Sequence, residues 1–277
     1  MLFPGARFLL FAAIVLHAQS PKDPMRPAPD MPRPIPARDT VWIEEMTWLE
    51  VRDAIKAGKT TVIIPTGGIE QNGPYLAAGK HNYILRATAP AIARKLGNAL
   101  VAPIVPFVPE GAIDPPSGHM LYPSTISIRE DTFERLLANI AESLRVHGFR
   151  NIILIGDSGG NVRGMANTAN RLSKLWARRG ATIHHIPEYY DYPAVKAWLE
   201  KQGIHQTDEG FHDDLAITAQ MMVVEPAAVR MRERMTTGKF SINGVNLAPP
   251  EKTIALGRRI VDFRAEATVA AIRKVLR

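Results

Sequence analysis

At 277 residues, with 46% apolar and 22% charged residues and no cysteine, the chain is long enough to bury one large core. Its composition excludes disulfides, thiolate zinc sites and cysteine nucleophiles, so any metal is left to His, Asp, Glu or Asn. The formal charge of +7 does not mark a nucleic-acid binder: residues 1–38 take +3 of it and leave +4 for the rest, with no Lys/Arg stripe interleaved with aromatics.

Residues 1–20 read as a signal peptide. Arg7 precedes an apolar run at 8–16 that is too short to span a bilayer, and Ala18-Gln19-Ser20 offers small residues for cleavage. Export to the periplasm or beyond is therefore expected, with no membrane association past that segment. Residues 21–38 are Pro-rich and predict an extended spacer, leaving residues 39–277 as a single domain.

From Val41 the pattern alternates short strands with longer helices. A helix is expected over 47–57, with Thr47 as N-cap and Gly58 closing it, followed by a strand at 60–64. Leu85, Ala89, Ile92 and Leu96 recur at helical spacing and stop at Gly97, with Pro90 expected to kink or break the run. Residues 99–106 predict an apolar strand, and 109–125 a long Gly/Pro-rich loop of the kind that carries function. Phe133, Leu137, Ile140 and Leu144 mark the next helix, 151–155 the strongest strand, and Val162, Met165, Ala169, Leu172 and Trp176 a further helix. A strand follows at 182–186, a hairpin turn at Asn243-Gly244, and a C-terminal helix from Pro249-Pro250, whose apolar stripe suggests core and no chemistry. Repeated β-loop-α units predict an α/β three-layer sandwich, with a mainly parallel central sheet flanked by helices.

Polar groups collect at strand ends and in loops, where open α/β sheets build their sites. The first strand breaks at Pro65 and delivers Glu70, Gln71 and Asn72, with His81 eleven residues beyond Glu70; the strand at 151–155 runs into Asp157 and Ser158. A third set, within HQTDEGFHDD, includes His212, Asp213 and Asp214. Glu70, His81, Asp157 and His212 together make a reasonable mixed nitrogen/oxygen site for zinc, manganese, iron or nickel. Such a site lowers the pKa of bound water and polarises a carbonyl. GDSGG also fits the G-x-S-x-G pattern of a nucleophile elbow, with Ser158 as nucleophile and His212 or His185 as base.

Three stretches resemble the creatininase (creatinine amidohydrolase) family. Residues 65–81, PTGGIEQNGPYLAAGKH, follow the family form P-x-G-x-x-E-Q-H-G-P-H-L-P-x-G-T-D; SGHMLYPSTISI resembles its P-G-T-I-S loop, and GDSGGN its N-G-H-G-G-N turn. The resemblance implies a homo-oligomeric α/β hydrolase of a cyclic amide or related C–N bond, with two divalent metals. Glu70 matches a family ligand and His212 a later family histidine. Asn72 stands where the family has a ligating His, His81 where it has the bridging Asp, and Ser158 where its third motif has His. The implied activity is a metal-dependent amidohydrolase acting on a small-molecule substrate, with Asp214 or His119 moving protons. Gln71, Asn72, Tyr75, Gly159 and Asn161 are expected around the substrate. A serine hydrolase built on Ser158 and a ligand-binding member without turnover stand as alternatives.

Overall fold

The computed structural model describes residues 26–277, so the expected signal peptide at 1–20 lies outside the described residues. The chain divides into a unit up to Pro36 and a unit of residues Ala37–Arg277. In the first, residues 26–36 carry five prolines and form no helix or strand, which suits a segment that cannot donate regularly from its backbone.

The second unit is the α/β domain. Thr47 caps α1 (Trp48–Lys56) reciprocally: its hydroxyl accepts from the Glu50 amide at 3.3 Å, while the Glu50 carboxylate accepts from the Thr47 amide at 2.7 Å. Four strands follow: β1 (Thr61–Thr66), β2 (Ala99–Val101), β3 (Asn151–Gly156) and β4 (Thr182–His185). They form one parallel sheet in the order β2-β1-β3-β4. Strand β2 is shorter than the expected 99–106. Pro103 and Pro106 lack the amide that a ladder needs, and pairing resumes only as an isolated bridge from Val105 to Thr66.

The crossovers are α2 (Lys80–Leu96), α3 (Glu130–Val146) and α4 (Asn161–Trp176). Pro90 stands inside α2, which runs through it without interruption to Gly97. Strand residues alternate between two apolar layers. Val62, Ile64, Ile152 and Leu154 pack with Phe133, Leu137 and Leu172 of α3 and α4. Ile63, Ile153 and Ile155 pack with Leu85 and Ile92 of α2 and with Ala265 and Val269 of α8 (Pro250–Val275). Helices on both faces of a parallel sheet give the expected three layers.

Beyond β4 come α5 (Tyr192–Lys201), α6 (Leu215–Val224) and α7 (Met231–Thr236), then the hairpin β5 (Ser241–Ile242) and β6 (Val245–Asn246). Asn243 and Gly244 both take positive φ at its turn, 49° and 75°, as a two-residue hairpin favours. α8 lies closely against α6: a Cβ on Gly257 would come within 2.1 Å of the Ala219 carbonyl oxygen. That approach sets the position of the next turns of α8, which reach into the site.

The chain leaves β1 for β2 on one side and reaches β3 on the other. The order therefore reverses between β1 and β3, and the crevice beyond their carboxyl ends is where such sheets take ligands.

Candidate active site

The two central strands are tied together just where they end. Asp157 donates its amide to the Thr66 carbonyl, and the buried Asn161 side chain donates to the Thr66 carbonyl, the Thr66 hydroxyl and the Gly67 carbonyl. Asp157 and Glu70 are thus held on opposite sides of one buried ring, His81. His81 Nε2 lies 2.8 Å from Glu70 Oε1, and Nδ1 lies 2.9 Å from Asp157 Oδ2.

Each carboxylate also has a fixed cation. Lys80 Nζ is 3.0 Å from Glu70 Oε1, and Arg264 Nη2, from α8, is 2.7 Å from Asp157 Oδ1. Lys80 and His81 begin α2, where the helix dipole disfavours positive charge, so their partners must hold them there. Burial opposes ionisation of Glu70, but the hydrogen bond and charge of His81, and then Lys80, hold its carboxyl far below the usual range. Asp157 is likewise lowered, with burial outweighed by Arg264 and His81. His81 is raised, its burial outweighed by hydrogen bonds to the same two carboxylates. Both ring nitrogens of His81 are thus taken up by carboxylate oxygens.

The outer side of Glu70 differs. His119, on a short 3-10 turn at Gly118–Leu121, places Nε2 3.1 Å from Glu70 Oε2. His212 takes a left-handed backbone, φ 58°, a strained conformation that clusters at functional positions. Its Nδ1–H donates to the Gln71 carbonyl at 3.1 Å, which turns Nε2 toward Glu70 Oε1 at 3.9 Å and leaves that nitrogen as a lone-pair donor. Burial, and then the Lys80 charge, lower the His212 pKa. The two imidazoles stack at 4.5 Å.

A cavity of about 810 Å3 opens on this cluster, lined by Glu70, Glu110, His119, Asp157, His212 and Asp214 among others. Glu110 was not singled out in the sequence, although its loop was. Its amide donates to Ser127 Oγ at 2.9 Å, its Oε2 accepts from Ser158 Oγ at 3.0 Å, and its Oε1 has no hydrogen-bond partner among the described residues. Burial and the neighbouring Glu70 charge push its carboxyl up to about 8. Gly68 keeps the space for it: a Cβ there would sit 2.1 Å from Glu110 Oε1.

Folding therefore favours the protonated form of Glu110, and that contribution to stability is full below its unfolded pKa, near 4.5, and lost as pH rises toward 8. Glu110→Gln is expected to match wild type in thermal melts at pH 5 and to melt higher than wild type at pH 9. Equal melting temperatures at both pH values would refute this protonation state.

The remaining expected residues are placed plainly. Ser158 is committed to Glu110, and among the described residues no histidine hydrogen bonds to it. His185 stands in the edge strand β4. Asp214 caps α6, accepting from the Ile217 amide at 2.7 Å, while its side chain also reaches the cavity. Asn72 staples its own loop through the Glu70 and Ala77 carbonyls, Gln71 accepts from the Gly73 amide, and Tyr75 lies under the Arg234 guanidinium. Gly159 lines the cavity, whereas Gln71, Asn72, Tyr75 and Asn161 do not. Arg264 corrects the expectation that α8 carries no chemistry. The signal was a charged residue directly beside Ala265 on the apolar stripe.

Among the described residues two groups of donors could hold an ion: Glu70 with His119 and His212, and Glu70 with His81 and Glu110, the atoms of each group lying within 4.8 Å of one another. Metal–ligand bonds of about 2.1 Å put neighbouring donors roughly 3.0–3.4 Å apart, so the first group fits with a small closure of His212. In the second group both ring nitrogens of His81 already face carboxylate oxygens.

The parallel α/β sheet thus carries a buried carboxylate–histidine cluster at its switch point. The family model described as creatininase (creatinine amidohydrolase) matches residues 44–272, and the chain belongs to this family of hydrolases. A creatinine amidohydrolase of Pseudomonas putida is 26% identical over 116 residues, 42% of this chain and 44% of that protein. A mycofactocin precursor peptide peptidase of Mycolicibacterium smegmatis is 31% identical over 110 residues, 38% of this chain and 42% of that one. The chain thus spans less than half the length of these curated relatives. A solved structure described as "Creatininase Mn" shares the fold at TM-score 0.60 and 20% identity, covering 86% of this chain and 98% of the other.

Proposed function

We propose that the protein is a metal-dependent hydrolase of a C–N bond in a cyclic amide or related small molecule. The observation that carries this reading is the convergence of the Glu70 carboxylate, His119 Nε2 and His212 Nε2 at the wall of one cavity. Two imidazoles and a carboxylate suit zinc, manganese, iron or nickel, and the structural relative described with manganese supports the class of ion. Such an ion supplies Lewis acidity toward a carbonyl and lowers the pKa of water.

The chain's own residues do the rest. Lys80 and His81 hold Glu70 ionised, and the Gln71 carbonyl fixes the ring of His212, as ligand-orienting partners do. Glu110 lines the cavity with its Oε1 buried and without a hydrogen-bond partner among the described residues, and its protonated carboxyl is the group we assign to protonating a departing nitrogen. A low-pKa carboxylate beside a high-pKa one divides base from acid. The cavity, at about 810 Å3, takes a ring or a short peptide segment.

The test is the metal content of protein purified without chelator. Wild type is expected to carry zinc, manganese, iron or nickel, and His119→Ala and His212→Ala to lose it together with hydrolysis of cyclic amides. Wild-type protein that is metal-free and takes up neither added zinc nor manganese would overturn the proposal.

A further inference from the structure

Resting on that reading, the inner half of the cluster carries a second point. Glu70, His81 and Glu110 are all buried and hold donors within 4.8 Å of one another, which is room for another ion beside the first. The protein's own cations stand there. The Lys80 ammonium, 2% exposed, lies 3.0 Å from Glu70 Oε1. Arg264 occupies Asp157 Oδ1 at 2.7 Å and is itself fixed by the Tyr189 carbonyl at 3.0 Å and Gln220 Oε1 at 3.1 Å. Tyr192 reaches both Asp157 oxygens at 3.3 Å. His81 spends both nitrogens on carboxylates. Glu70 serves both halves: Oε1 faces Lys80 and His81, with His212 at 3.9 Å, while Oε2 faces His119.

We propose that this centre binds one divalent ion only, at Glu70, His119 and His212, because Lys80, with Arg264 beside it on Asp157, holds as a covalently attached charge the place a second ion would take among Glu70, His81 and Glu110. Two carboxylates there already face two permanent cations, and a further double charge would meet an ammonium it could not displace without losing the Glu70 pair. A tethered cation cannot be stripped by a chelator or diluted away, so this half of the centre keeps its charge whatever the metal supply.

Titration of the full chain with Mn2+, followed by calorimetry and electron paramagnetic resonance, tests it. Wild type is expected to take one equivalent, giving the six-line signal of an isolated ion. Lys80→Met is expected to take a second, weaker equivalent and to show the broadened spectrum of a coupled pair, while Lys80→Arg stays at one. Two equivalents in wild type overturn the inference alone, whether or not Lys80→Met folds. A folded Lys80→Met that stays at one equivalent also overturns it. No equivalent in wild type removes the proposed metal site and this inference with it.

Discussion

Arg264→Met is expected to lower the unfolding free energy by about 3–5 kcal/mol, the usual cost of stranding one partner of a buried ion pair. Asp157 is fully buried, and its Oδ1 depends on the guanidinium at 2.7 Å. Without Arg264 that oxygen keeps only the Tyr192 hydroxyl at 3.3 Å. The loss arises from the stranded charge and not from lost packing, so Asp157→Asn combined with Arg264→Met should recover a large part of it. Denaturant midpoints of the two single variants and the double variant measure this coupling. A loss below about 1 kcal/mol in the single variant would show that Asp157 does not need its cation.

Glu70→Ala removes the one residue common to both halves of the cluster. Loss of a residue that merely orients a metal ligand costs roughly 10–100-fold in activity or affinity, so loss of the shared carboxylate should cost more than about 100-fold in kcat/KM on any amide the wild type cleaves. It also strands Lys80, which is 2% exposed, and leaves His81 with Asp157 alone, so the melting temperature should fall along with metal content. Glu70→Gln, which keeps the shape, should retain more stability than Glu70→Ala but no more metal. Metal content equal to wild type in Glu70→Ala would place the ion elsewhere.

Much of the frame could be read from local signals. The Thr47 cap, the β-branched run of β1, the helical spacing to Gly97 and the Asn-Gly hairpin each express a preference of a few neighbouring residues, and the structure keeps all four. Strand β2 was overestimated because apolar composition outweighed two prolines in the reading, whereas the missing amides decided the ladder. The helices α5, α6 and α7 were not foreseen. Leu215–Val224 is apolar almost all round, with seven of its residues buried, and so shows no amphipathic period to detect.

The site was legible by half. Glu70, His81, Asp157 and His212 do meet, because strand ends and their loops converge by topology. Their roles were harder to see, since they depend on partners distant in sequence. Arg264 lies 107 residues from Asp157, and Ser158 lies 48 from Glu110. Spacing carries no information about such pairs. Lys80 could have been noticed, as a second base beside His81 at the start of a helix runs against the dipole.

The distance between Asp157 and Arg264 also has a meaning in time. During synthesis β1, α2 and β3 emerge first, at roughly 5–20 residues per second, and carry Glu70, Lys80, His81 and Asp157 with them. The guanidinium follows 107 residues later. Until it arrives Asp157 has His81 for its Oδ2 but no cation for its Oδ1, so that oxygen must stay in water. The charged cluster is thus completed from the far end of the chain, by a residue of α8.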